Sequence, residues 1–173
     1  MTATEVQASS SAHVDPDTYN AVLARHAAGV VVVTARPSGG PAGLTATSFT
    51  SVSLRPPLVA FYVARTSTTW PGLRTAPGFA VNILTEEQSE LAARFARADF
   101  DRFAPPTRWR SGAYGTPLLD DAAGHLHCRW HTVSPVGDHW LVVGRVTDAE
   151  AGEPTAPLLY HRGKFGAFHP IDR

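Results

Sequence analysis

The chain has 173 residues, 43% hydrophobic and 17% charged, a balance suited to a folded domain that buries its core without staples. Its 15 basic and 15 acidic side chains cancel to a formal net charge of zero, which excludes a broad electrostatic attraction to nucleic acid or anionic membrane. A single cysteine, Cys128, excludes an intrachain disulfide and any cysteine-rich zinc site.

Residues 1–14 are Ser-, Ala- and Thr-rich and aperiodic, the composition of a disordered tail; residues 15–173 are expected to form one domain. The tail has neither the basic start nor the apolar run of a signal peptide. No stretch approaches the ~18 apolar residues of a membrane span, so a cytoplasmic protein is expected. Asp15, Pro16 and Asp17 supply helix-start chemistry, with Tyr19, Val22, Leu23 and His26 or Ala27 following at helical spacing and Gly29 as a stop. Val30–Val33 is an all-β-branched run, suited to a strand buried on both faces. Residues 37–43 (PSGGPAG) have turn composition and predict a hairpin. Gly43–Ser53, dense in Thr and Ser, reads as one strand with a hydroxyl-bearing face; Pro56 and Pro57 interrupt it, and Leu58–Val63 resumes as a strand.

A short helical turn near Thr69–Arg74 and a strand over Phe79–Leu84 follow. Thr85–Gln88 is a capping box, and the helix behind it should bury Leu91 and Phe95. Residues 98–120 hold three prolines and little periodicity, which predicts a long, partly structured loop of functional importance. Strands are expected at 125–134 and 139–147 around a Gly137-Asp138 turn, and near Leu158–Tyr160 and Phe165–Phe168. About seven turn-bounded strands with two or three helices do not alternate as βαβα, and no GxGxxG follows a strand. The fold expected is therefore mainly β, an antiparallel barrel with peripheral helices.

Two hydroxyl-rich segments and several histidines carry the candidate chemistry. Thr45, Ala46, Thr47, Ser48 and Ser51 could offer hydroxyls and closely approachable backbone to a flat polar ligand, or simply form an exposed Thr-rich strand. Arg65, Ser67, Thr68 and Thr69 precede a helix and could cradle a phosphate, or supply an ordinary N-cap beside a solvated arginine. Arg102 and Phe103 lie in the long loop, within reach of a ligand. His125, His127 and His131 share a strand face with Arg129, while Cys128 points the other way. That alternation predicts a polar outward face and a core thiol in place of a metal site.

Four segments in order resemble the flavin reductase-like family, whose fold is an FMN-binding split β-barrel. They are GLTATSFTSVSLRPPLVAFYV (43–63), STTWPGLRTAPGFAVNILTEEQSELAARFA (67–96) with DRF (101–103), GTPLLDDAAGHLHCRWHTVSPVGDHWLVVGRV (115–146), and PLLYHRGKFG (157–166). The resemblance implies an antiparallel split barrel and a homodimer with FMN or FAD near the subunit interface. It implies NADH or NADPH as hydride donor, and release of reduced flavin to a flavin-dependent monooxygenase or halogenase. It favours the ligand reading of Thr45–Ser51 and places the flavin phosphate at Arg65 and Ser67–Thr69. It also makes His139, in the GDH segment, the residue for the nicotinamide side, with Tyr160 and Lys164 as neighbours. One departure is Ala104-Pro105-Pro106, where relatives often place glycine after DRF; it implies a stiffer loop. Two other readings fit the same fold: a flavin- or haem-binding protein without turnover, and an oxidase related to the pyridoxamine phosphate oxidases.

Overall fold

The β-branched run lies buried on both faces: Val31–Ala35 forms a strand in which no residue exceeds 3% exposure. Val31, Val33 and Ala35 enter one core with Phe61, Phe79 and Trp70. Val32, with Val30, enters a second core with Ala92, Phe95, Leu119 and Leu158. This two-sided burial makes the strand the partition of the molecule.

The computed structural model describes residues 14–98 and 101–171. In chain order it contains α1 (Pro16–Leu23), β1 (Ala28–Gly29), β2 (Val31–Ala35), β3 (Ala42–Ala46), β4 (Thr50–Leu54), β5 (Pro57–Ala64), α2 (Trp70–Leu73), β6 (Phe79–Ile83), α3 (Ser89–Ala96), β7 (Trp109–Ser111), β8 (Pro117–Leu119), β9 (Gly124–Val136), β10 (His139–Ala151), β11 (Leu158–His161) and β12 (Lys164–Ala167). Seven strands form one antiparallel sheet in the order β3-β2-β6-β9-β10-β5-β4. Separate ladders join β1, β11 and β12, and β7 with β8. Apart from exposed Val14, the expected disordered tail lies outside the described residues.

The stretch Gly43–Ser53, expected as one strand, is two. β3 and β4 sit at opposite edges of the seven-stranded sheet although only residues 47–49 separate them. Ser48 in that link reaches β5, where the Tyr62 N–H donates to its Oγ at 2.9 Å. A single straight strand could pair with only one edge; breaking at 47–49 lets both edges find partners and rolls the sheet into a split barrel. Its core is aromatic: Phe79 lies 5.6 Å from Phe61 and 4.4 Å from Trp130, centroid to centroid. Gly144 on β10 makes room for that cluster, since a Cβ there would sit 2.3 Å from Phe79 Cζ.

The capping box forms, with the Thr85 N–H donating to Gln88 Oε1 at 3.1 Å, and α3 buries Phe95 and part of Leu91 as expected. The β9–β10 hairpin turns at Gly137 (φ +56°) but runs 13 residues on each side, longer than expected. Within the expected loop 98–120, β7 and β8 pair around a turn at Ala113–Gly115 and bury Leu118 and Leu119; Asp99 and Phe100 lie outside the described residues. Asp15 caps α1 by accepting from the Thr18 N–H at 2.9 Å, yet the helix stops at Leu23 and buries nothing. Tyr19, Val22 and Leu23 remain 55%, 61% and 51% exposed.

His125 and His127 correct the expectation of a polar outward face. Both are buried, because partners wait across the ladders. His125 Nδ1 lies 3.0 Å from Asn82 Oδ1, and His127 Nε2 lies 2.8 Å from Oε1 of Glu150, whose Oε2 pairs with Arg110. Arg129 stays exposed over the Tyr114 ring. Cys128 is a core thiol as expected, and burial pushes its pKa up to about 12.

Candidate active site

The hydroxyl-rich segments meet because of the barrel seam. β3 ends at Ala46, and the link 47–49 then crosses toward β5. The end of β5 pairs with the start of β10, Ala64 opposite His139, so the Gly137-Asp138 turn sets the histidine beside the residues that follow β5. The C-terminal end of α3 closes another side. Between them lies a cavity of about 520 Å3. Thr45, Ala46, Thr47 and Ser48 line one wall, Ser67, Thr68 and Thr69 a second, and Arg102 and His139 also border it.

Several of these groups are held by internal bonds. Thr45 Oγ1 donates to the Ala92 carbonyl at 2.7 Å and ties α3 to β3. Ser67 Oγ accepts from the Trp70 N–H at 3.3 Å from within the cavity wall, while the N-cap position of α2 falls on Thr69, which makes no side-chain cap bond, in place of the expected Ser67 or Thr68. Arg102 Nη1 donates to Thr69 Oγ1 at 2.8 Å and to the Gly43 carbonyl at 3.0 Å, while Nε donates to the Arg97 carbonyl at 2.6 Å. These bonds fix a guanidinium at the cavity edge. Because α2 is a single turn of four residues, little helix dipole supports an anion there; Arg102 supplies the positive charge.

Arg65, expected to be that cation, does not border the cavity. Its Cζ lies 5.5 Å from the Trp140 ring centroid, a cation–π contact. Ser51 does not border it either; it sits exposed on β4, paired with Val59. Phe103 packs its ring 5.1 Å from Phe95 and 5.8 Å from Trp109, in the second core. Tyr160 lies on β11 opposite Ala28, its ring 5.4 Å from Phe165, and Lys164 faces His161 in the same ladder; neither borders the cavity in this chain.

His139 has one defined partner, Asp138 Oδ1 at 2.6 Å from its Nδ1. An ionised carboxylate only accepts, so Nδ1 carries hydrogen and, in the neutral ring, Nε2 is left as an acceptor. The same bond holds the Asp138 carboxyl below its ordinary pKa. The residues after DRF are also well braced. Asp101 Oδ1 accepts from the Phe103 and Ala104 N–H groups, and Thr107 Oγ1 donates to the Arg102 carbonyl at 2.7 Å.

Sequence reasoning missed the walls from β5 and α3: Tyr62, Ala64, Thr66, Phe95 and Ala96. Thr66 stands in the same Arg65–Thr69 run and was within reach. The α3 contribution depends on the Thr45–Ala92 bond between residues 47 apart, for which no local pattern exists.

Known proteins resemble this chain in sequence and fold. Residues 23–169 match the family model described as flavin reductase like domain. An NADH:FMN oxidoreductase of Rhodococcus erythropolis is 46% identical over 151 residues, covering 85% of this chain and 79% of that protein. The reductase subunit HsaB of a flavin-dependent monooxygenase from Rhodococcus jostii is 36% identical, covering 91% of this chain and 80% of that protein. The structure of the Streptomyces globisporus NADH:FAD oxidoreductase SgcE6, in complex with NAD and FAD fragments, superposes with a TM-score of 0.84 at 35% identity, covering 92% of this chain and 98% of that one. The cavity sits on a split-barrel scaffold common to these proteins, and the chain belongs to the flavin reductase-like family.

Proposed function

We propose that this chain is an NAD(P)H-dependent flavin reductase that binds FMN or FAD in the Thr45–Arg102 cavity and passes the reduced flavin to a separate monooxygenase or halogenase. The observation that carries the reading is the meeting, in one cavity of about 520 Å3, of two hydroxyl-rich walls, a fixed guanidinium and His139. That volume falls within the ~300–1,000 Å3 of small-molecule pockets. Thr47, Ser48 and Thr68 offer hydroxyl partners to a ribityl chain, Ala46 leaves room beside a flat ring, and Arg102 meets a phosphate. When bound, the flavin supplies a ring that accepts hydride from a reduced nicotinamide.

The chain's own contribution is positioning. Hydride passes directly between the two rings, so no strong base is required and the gain comes from holding them together. His139 is suited to the nicotinamide side: with hydrogen on Nδ1, its Nε2 can accept from a carboxamide N–H. Residues 15–173 act in this reading as one domain. The names of relatives supply the partner, since one is the reductase subunit of a flavin-dependent monooxygenase.

The reading includes a homodimer. A capped helix with three large apolar side chains and no buried residue is stable only against something, and among the described residues nothing covers α1. A second copy is the simplest cover. Light scattering should give twice the chain mass at micromolar concentration. Loss of the nicotinamide absorbance on mixing protein, NADH or NADPH, and FMN or FAD tests the activity; no loss with any pair overturns it.

A further inference from the structure

His139 borders the cavity with one ring nitrogen committed and the other open. Its Nδ1 lies 2.6 Å from Asp138 Oδ1, and its Nε2 has no protein partner among the described residues. Asp138 does not itself border the cavity. Its backbone is pinned, because the Arg65 N–H donates to its carbonyl at 2.9 Å and Gly137 takes φ +56° in the turn just before it. We propose that Asp138 is a positioning residue: it fixes the hydrogen-bonding sense of His139 and so selects, among reduced pyridine dinucleotides, those whose ring carries a carboxamide N–H. The inference rests on the reading of His139 as the nicotinamide-side residue.

The selection follows from the direction of one bond. An ionised carboxylate has no hydrogen to give, so the hydrogen between Asp138 and His139 sits on Nδ1. That bond also holds the Asp138 carboxyl below its ordinary pKa, so the side chain stays a pure acceptor through the neutral range. The neutral ring then shows the cavity a lone pair at Nε2, which attracts an N–H and repels a carbonyl oxygen. A carboxamide carries both groups, and only its amide nitrogen suits this site. An acetyl group in the same place keeps the carbonyl and the shape but puts a methyl where the amide nitrogen was. A site arranged to bond a ligand N–H rejects the analogue that lacks it, because its own polar atom is left unpaired. A histidine free to change tautomer would turn an Nε2–H to the carbonyl and separate the two ligands poorly. The Asp138 side chain is 94% exposed, so the pair adds little to folding and its consequence falls on the ligand.

An asparagine carries a donor and an acceptor at similar reach, so Asp138→Asn frees the tautomer, whereas Asp138→Glu keeps a carboxylate. The measurement is kcat/KM for NADH and for its acetylpyridine analogue, with FMN in mildly alkaline buffer, on the wild type, both variants and His139→Ala. The last has no ring nitrogen and supplies the intrinsic reactivity ratio of the two reductants. Relative to that ratio the wild type should favour NADH about tenfold, the worth of one hydrogen bond. Asp138→Asn should lose most of this preference and Asp138→Glu should keep most of it. Long-range nitrogen–proton NMR spectra of the coenzyme-free protein, with the signal identified from His139→Ala, should show the His139 hydrogen on Nδ1 in the wild type and partly on Nε2 in Asp138→Asn. Equal discrimination by the wild type and Asp138→Asn overturns the proposal, as does hydrogen on Nε2 in the wild type. So does an equal loss of activity toward both reductants in Asp138→Asn, which would make Asp138 an ordinary turn residue. Failure of the wild type to oxidise either reductant with FMN or FAD strikes the reductase reading itself, and the coenzyme-free spectra tell that failure from an error about Asp138.

Discussion

Two polar regions of this barrel use the same side-chain types to opposite ends. Behind β6, Thr34, Asn82 and His125 form a closed network. Asn82 Nδ2 donates to the Val32 carbonyl at 2.9 Å and to Thr34 Oγ1 at 3.1 Å, and Thr34 Oγ1 donates to the Pro117 carbonyl at 2.5 Å. Asn82 Oδ1 accepts from the Leu119 N–H at 2.8 Å and, since an amide oxygen only accepts, from an Nδ1–H of His125. Thr34 and Asn82 are fully buried, and each of their side-chain polar atoms has a protein partner. At the barrel seam, Thr47, Ser48, Thr68 and Thr69 instead border an open cavity. A network that is complete within the chain rigidifies it; one whose hydroxyls border a cavity is disposed toward a ligand. The difference is one of neighbours, since Thr and Ser occur in both.

The contrast can be broken most forcefully at Asn82. Asn82→Leu leaves the Leu119 N–H and the His125 Nδ1–H without this partner and takes a side-chain bond from the Val32 carbonyl, which stays within the β2 ladders. At about 1–3 kcal/mol for each of the two stranded groups the loss is at least ~2 kcal/mol. For a chain of this length that lowers Tm by about 4–8 °C in a thermal melt. Flavin affinity of the folded variant should stay within about twofold; a loss of binding without a loss of Tm would erase the distinction between the two regions.

Arg102→Ala makes the complementary cut. Removing a charge-assisted contact of about 1.5–3 kcal/mol should weaken flavin binding roughly 10- to 150-fold by fluorescence titration. Arg65→Ala, on a cation stacked over Trp140 and away from the cavity, should shift flavin affinity less than about threefold. Equal effects at the two arginines would return the phosphate to Arg65.

His139→Ala should leave flavin binding nearly intact and lower kcat/KM for the nicotinamide about 10- to 100-fold, roughly 1.4–2.7 kcal/mol, because positioning carries the step. Stopped-flow reduction of the flavin-loaded variant reads this directly, and an unchanged rate at every nicotinamide concentration would leave His139 an ordinary strand residue. The smallest effect is in acid. Burial, reinforced by Arg110, holds His125 below its ordinary pKa, so the unfolded chain binds a proton there more readily than the folded one. Stability should therefore fall as pH drops below about 6.5 and level off beneath the depressed folded value. His125→Gln should flatten that slope in melts between about pH 6.5 and 5.

Local patterns made much of the scaffold legible. The Val30–Val33 run, the Thr85–Gln88 box and the Gly137-Asp138 turn each act within a few residues, and each forms as expected. What stayed hidden depends on distant partners. Nothing within Gly43–Ser53 tells that β3 and β4 take opposite edges, because the break at 47–49 is set by closure onto Tyr62. Alternation placed His125 and His127 outside, yet Asn82 and Glu150 supply the buried bonds that draw them in. Likewise the sequence points to Arg65 as the cation, and the bonds that set Arg102 at the cavity join it to Gly43 and Thr69, too far along the chain for a local pattern. β7 and β8 are three residues each, too short for periodicity to show.

Cys128 bears on how long such a protein survives its own chemistry. Reduced flavin that meets dioxygen before its partner yields hydrogen peroxide, which attacks thiolates. With burial pushing its pKa up to about 12 and no exposed surface, this thiol stays protonated at neutral pH. The chain has no other cysteine, and its one methionine is residue 1. A barrel nearly without oxidisable sulfur is a durable housing for a reaction that leaks oxidant.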